Sequence, residues 1–167
     1  MSSGIVMAIL TQEKMAKKSA RLQTEGKIVV FTNGCFDLIH LGHIEILKRA
    51  RNEGACLFVG VNGDESVRRL KGKGQPIQGE QERAAIVDAF QFVDEVTIFY
   101  EDTPENLINL VHPDVLVKGA DYEEEDIVGS KDVITWGGRI VRVPLVEGKS
   151  TSSIIFRILK HFRRENS

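Results

Sequence analysis

Two histidines three residues apart, His40 and His43, bracket Gly42 and follow closely on Gly34-Cys35-Phe36-Asp37. Gly34 lets the chain turn, and Gly42 lets backbone approach a bulky anion where free amides and a helix dipole favour phosphate. Both imidazoles can reach one phosphate and donate hydrogen bonds to charge building on it. Further on, Lys71-Gly72-Lys73-Gly74 offers two mobile cations for a polyphosphate, and Ser150, Thr151 and Ser152 bring hydroxyls to another helix start. No side chain is placed as an obvious nucleophile. The set fits direct phosphoryl or nucleotidyl transfer, in which positioning and electrostatics supply most of the catalysis.

Blander readings weigh against each of these. A His-x-x-His pair standing alone is commonly structural or half of a metal site, but the sequence offers no convincing third ligand, so no protein-bound metal is expected. Gly148-Lys149-Ser150-Thr151 imitates the end of a Walker A loop, yet Val143 stands where its first glycine is required. Gly72-x-Gly74 does not continue as a dinucleotide fingerprint. Cys35 reads as a bystander thiol and Trp136 as core or interface. Asp37 either anchors its loop or touches ligand.

The elements that must position these groups alternate along the chain. A helix is expected over Thr11–Thr24, capped by Thr11 and stopped by Gly26. Apolar, β-branched runs predict strands over Lys27–Thr32, Cys56–Val61, Val93–Phe99, Val115–Val117 and Ile140–Leu145, the last an edge or ending strand because of Pro144. Helices are expected over His43–Glu53, with Gly54 as a left-handed cap, over Glu80–Phe92, from Thr103-Pro104-Glu105 with Thr103 capping, and over Ser152–Phe162. The acidic run Glu123–Asp126 reads as a solvated helix start. This alternation implies an α/β fold, a Rossmann-like parallel sheet of about five strands with helices on both faces. Residues 1–26 read as an N-terminal helical extension and 27–167 as the domain. Ligands bind beyond the carboxyl ends of such strands. Asn33–His43, Asn62-Gly63-Asp64, Lys118–Tyr122 and Glu147–Ser152 should therefore open on one edge.

The chain's 167 residues suit one domain. Twenty-two Lys and Arg against twenty-four Asp and Glu leave a net charge of −2, which disfavours a nucleic-acid coat or a polybasic membrane binder. Hydrophobic residues at 42% and charged residues at 28% make global disorder a poor reading. Cys35 and Cys56 form neither a disulfide framework nor a zinc site, and Ile5–Leu10 is too short to span a bilayer. The expected location is cytoplasmic.

Gly34-Cys35-Phe36-Asp37 followed by His40-Leu41-Gly42-His43 resembles the signature of the nucleotidyltransferase superfamily that includes the cytidylyltransferases and pantetheine-phosphate adenylyltransferase. Val61-Asn62-Gly63-Asp64, Arg69-Leu70-Lys71-Gly72, Glu82-Arg83, Val117–Tyr122, Ile127–Ser130 and Ser150–Ser152 are similar to the heptose 1-phosphate adenylyltransferase branch. The resemblance implies transfer of AMP from ATP to heptose 1-phosphate, with Mg²⁺ on the phosphates, ADP-heptose as product and pyrophosphate leaving. It implies His40, His43 and Lys71 as catalytic residues. Nucleotide contacts would come from Cys35, Phe36, Gly42, Lys73, Lys118, Gly119, Ser150, Thr151 and Ser152. Substrate contacts would come from Asn33, Asp37, Asn62, Asp64, Arg83 and Asp121. Lys71 and Lys73 both remain open as the family's loop lysine. The implied partners are ATP and a sugar phosphate, with no nucleic acid or membrane, and a homo-oligomer, dimer first. Relatives of this branch are often fused to a sugar kinase. The 26 residues before the first expected strand are too few for one, so no phosphorylation of heptose 7-phosphate is expected. Two alternatives stand beside this reading: a cytidylyltransferase for another phosphorylated alcohol such as glycerol 3-phosphate, and a nucleotide-binding module without turnover. Leu145 and Val146 occupy the places of an Arg-Thr pair in the glycerol-phosphate enzymes, which disfavours the first.

Overall fold

A computed structural model of the protein describes residues 9–120 and 123–165. Short β-branched runs form strands β1 (Val29–Gly34), β2 (Cys56–Asn62), β3 (Glu95–Phe99), β4 (Val115–Gly119) and β5 (Arg139–Val143). All pair in parallel, in the order β3-β2-β1-β4-β5. The chain runs outward from β1 to β3 and then returns to the other side of β1. The strand order therefore reverses between β1 and β4, where a crevice opens at the strands' carboxyl ends.

The helices are α1 (Gln12–Thr24), α2 (Leu41–Arg51), α3 (Asp64–Lys71), α4 (Glu80–Asp88), α5 (Glu105–Val111), α6 (Ser130–Thr135) and α7 (Thr151–Glu165). On one face Leu47 and Ala50 of α2, with Ala84 and Val87 of α4, cover Val30, Val59 and Val117. On the other, Met15 of α1, Leu107 and Ile108 of α5, and Val133 of α6 cover Val29, Phe31, Phe58 and Leu116. A sheet buried on both sides explains why its central strands read as continuous apolar runs. Helix α1 belongs to this packing: Met15 is fully buried. Leu10 just before it runs parallel to β3, donating to the Val96 carbonyl at 2.9 Å and accepting from the Thr97 hydroxyl at 2.8 Å.

Several local expectations are corrected. Helix α2 is closed by Asn52 in a right-handed conformation, φ −73°. Gly54 is not its left-handed cap; it is glycine because a Cβ there would lie 2.6 Å from the Val30 side chain and 2.7 Å from the Ile28 carbonyl. Thr103 does not cap α5: Pro104 holds the cap position and no side chain bonds the first turn. Helix α4 stops at Asp88, and Phe90 and Phe92 stack at 5.1 Å in the turn beyond it. Helices α3 and α6 were not anticipated. Each is short, and α3 buries only Ser66 and Val67. The acidic run forms a single 3-10 turn, Glu124–Asp126. Strand β5 ends before Pro144 at the sheet edge, as expected.

Candidate active site

At the end of β1 the chain enters a loop that two non-glycine residues cross in the left-handed region, Phe36 at φ 50° and Leu38 at φ 46°. Such a backbone persists only where its surroundings determine it. The Phe36 ring is buried beneath Gly34, where a Cβ would come within 3.2 Å of it. Arg83 fixes the loop from below. Its side chain has no exposed surface, and it donates to the carbonyls of Cys35, Gln78 (3.0 Å) and Asn62 (2.7 Å) and to the Asp64 carboxylate (2.8 Å). Asp37 fixes it from the side. Its carboxylate accepts from the amides of Ile77 (2.8 Å) and Gln78 (3.0 Å), and its carbonyl accepts from the Thr151 hydroxyl (2.7 Å).

Held in this way, the loop delivers the two histidines to the head of α2. His40 is the residue before the helix and His43 lies in its first turn; the rings stack with centroids 3.7 Å apart. Gly42 makes room for this fold-back, since a Cβ there would be 3.0 Å from the His40 ring. Both Nδ1 atoms are buried without a hydrogen-bond partner. Burial pushes the His43 pKa down to about 3, with the neighbouring His40 adding to the effect, and burial lowers His40 as well. Without ligand the pair is neutral at physiological pH. Each ring then keeps one N–H donor, and a nearby anion would favour the protonated form.

The histidines line a cavity of about 920 Å³ across the ends of the strands. Its wall includes Asn33, Cys35, Phe36, Asp37, Gly42, Asn62, Lys71, Lys118, Gly119, Ser150, Thr151 and Ser152. All four segments expected to open on one edge therefore contribute. Lys118 of β4 donates to the Asn33 side chain of β1, bridging the crevice where strand order reverses. The hydroxyl of Ser150 accepts from the Ser153 amide at 3.1 Å, so it caps α7. Burial raises the Cys35 thiol pKa, which leaves it protonated and suits the bystander reading.

Four of the residues expected to touch substrate are bonded to the chain itself. Arg83 spends its donors on the chain and lies outside the cavity wall, as does its partner Asp64. Asn62 reaches the wall but turns its amide to Ser66, 3.0 Å away. Asp37 anchors two loops with its carboxylate. Lys73 is exposed and outside the wall, whereas Lys71, the last residue of α3, is part of it. Asp121 lies outside the described residues. Sequence reasoning missed Gln75, Asp102, Thr103 and Asp126–Val128. The rule about strand ends would have found Asp102 and Thr103, which follow β3, had that turn not been read as a helix cap.

Residues 31–159 match the cytidylyltransferase-like family. The chain is 51% identical over 139 residues to the bifunctional protein HldE of Syntrophotalea carbinolica, covering 83% of this chain and 28% of that protein. It is 54% identical over 136 residues to the bifunctional protein HldE of Geotalea uraniireducens, covering 81% and 28%. A lipopolysaccharide core biosynthesis protein from Thermoplasma volcanium superposes with a TM-score of 0.61 at 28% identity, covering 72% of this chain and 98% of that one. The chain spans less than a third of the length of the curated relatives it matches. The family match begins within β1 and ends in α7, so it contains the histidine loop, Lys71, Lys118 and the start of α7. The chain belongs to the cytidylyltransferase-like family.

Proposed function

We propose that the protein transfers AMP from ATP to heptose 1-phosphate, releasing pyrophosphate and forming ADP-heptose. The observation that carries this reading is the stacked, neutral His40–His43 pair facing a cavity that also holds Lys71, Lys118 and the capped start of α7. A phosphate oxygen of the sugar attacks the α-phosphorus of ATP in line. The bond from that phosphorus to the α,β-bridging oxygen breaks, and its electron pair leaves with pyrophosphate. Charge growing on the non-bridging α-oxygens is met by the imidazole donors, which cost no reorganisation because the loop already holds them. Polyphosphate also supplies the counter-charge the buried rings lack, raising their pKa and strengthening the bonds. Lys71 binds the sugar phosphate, and the helix terminus with Ser150, Thr151 and Ser152 holds the departing phosphates.

Mg²⁺ bound with the nucleotide would supply charge neutralisation on its phosphates. The cavity's lysines, imidazoles and hydroxyls suit phosphate, while its carboxylates Asp37, Asp102, Asp126 and Glu147 stand on four separate segments, so the ion would be held through the phosphates.

Among the described residues no helix is long and apolar enough to cross a membrane, and a cytosolic location belongs to this reading. So does a homodimer. Helix α7 supports it by leaving Phe156 66% and Leu159 53% exposed. Pyrophosphate release across ATP and CTP, each with heptose 1-phosphate and glycerol 3-phosphate, tests the reading. Activity confined to ATP with heptose 1-phosphate is expected, and preference for CTP or for the glycerol ester overturns it.

A further inference from the structure

The cavity continues beyond the histidines. Past the end of β2 it reaches the turn after β3, where Asp102, Thr103 and Pro104 share its wall with Leu70, Lys71 and Gln75. Strand β3 lies two places from β1, roughly 10 Å at ~4.8 Å per strand. That end is too distant for the α-phosphate gripped by the histidines, yet within reach of a ligand joined to it.

The turn is built in place by α3. Ser66 donates to the Glu101 carbonyl at 2.9 Å; Arg69 donates to the Tyr100 carbonyl at 3.0 Å and to the Asp102 carboxylate at 2.5 Å. Arg69 takes one of the acceptor sites of Asp102, and a carboxylate has about four. The chemistry of this end differs from the other. Lys118, Lys149 and the start of α7 stand on the β4 side of the histidines, together with the carboxylates Asp126 and Glu147. On the β3 side the Asp102 carboxylate, the Thr103 hydroxyl and the Gln75 amide can accept and donate hydrogen bonds with neutral hydroxyls. Leu70, 51% exposed, offers an apolar surface to a C–H face.

We propose that Asp102 and Thr103, with Gln75, are the acceptor-reading end of the cavity, bonding the hydroxyls of a phosphorylated sugar whose phosphate sits at Lys71. This rests on the sugar-phosphate reading above and assigns the residues that set its specificity.

The test uses the full chain with Asp102→Asn and Thr103→Val, measuring steady-state kinetics with ATP and heptose 1-phosphate and calorimetric binding of heptose 1-phosphate and mannose 1-phosphate. Each substitution is expected to raise the acceptor KM and Kd about 10-fold while the ATP KM stays within about 2-fold. Arg69→Met, which removes the same ion pair without touching ligand, should shift acceptor Kd by less than about 3-fold. If Thr103→Val leaves Kd unchanged and Arg69→Met reproduces Asp102→Asn, the turn is only structural and the proposal is overturned. If the unmodified protein turns over no sugar phosphate, the functional reading fails separately, and calorimetry still judges the wall. Sugar-phosphate binding weakened by both substitutions upholds it; no binding, or binding both variants retain, overturns it.

Discussion

Thr151 donates its hydroxyl to the main-chain oxygen of Asp37 at 2.7 Å, joining the first turn of α7 to a loop 114 residues earlier in the chain. The Asp37 carboxylate meanwhile binds the amides of Ile77 and Gln78, beyond the lysine-bearing end of α3. One residue thus fixes three segments of the cavity relative to one another. Replacing Thr151 with Val keeps the shape and removes the donor. A loss of about 1 kcal/mol in stability is expected. Because the bond aligns the histidine loop with the phosphate-binding terminus, kcat/KM should fall about 10-fold or more, beyond what the loss of folded protein explains. Kinetics measured beside a denaturation curve separate the two effects.

Arg83 gives a contrasting expectation. Removing its guanidinium in Arg83→Met strands Asp64 and three carbonyls, and breaking such a buried pair costs about 3–5 kcal/mol. Arg83→Lys should recover only part, because an ammonium cannot span the fork. A residue that merely contacts substrate would show an ordinary Tm and a raised KM instead.

The histidine pair makes stability depend on pH. His43 titrates near 6.5 when unfolded and about 3 when folded, so between those values the unfolded state binds more protons. Stability therefore rises with pH through that window and falls as pH drops below about 6.5, by at most about 1.4 kcal/mol per unit for this group. His43→Asn should flatten the acid limb of a Tm-against-pH curve. ATP should protect most strongly in mildly acidic buffer, where its phosphates favour the protonated rings. An acid limb unchanged in His43→Asn would place the shift elsewhere.

The sheet was legible because its central strands are buried on both faces and carry β-branched runs bounded by glycine, as in Val29–Gly34 and Cys56–Asn62. The histidine loop was legible from Gly34, Gly42 and the His40–His43 spacing, which the fold turns into a stacked pair. Long-range bonding was not. No local pattern says that Arg83 will be swallowed whole, or that Asp37 will spend its carboxylate on residues 40 positions away. Polar residues named in a motif look alike on paper whether they hold ligand or hold the loop that holds ligand. Helix α3 escaped for a related reason: its eight residues are mostly charged, and its place is set by Asn62, Ser66 and the turn after β3.

Pyrophosphate release from ATP in the presence of heptose 1-phosphate, compared between the unmodified protein and His43→Ala, tests the central claim most directly. Loss of one donor to the transition-state charge should lower kcat by roughly 10²–10³-fold with a smaller change in KM, and His43→Asn should regain part of it. A His43→Ala protein that is folded and keeps an unchanged kcat would contradict the account.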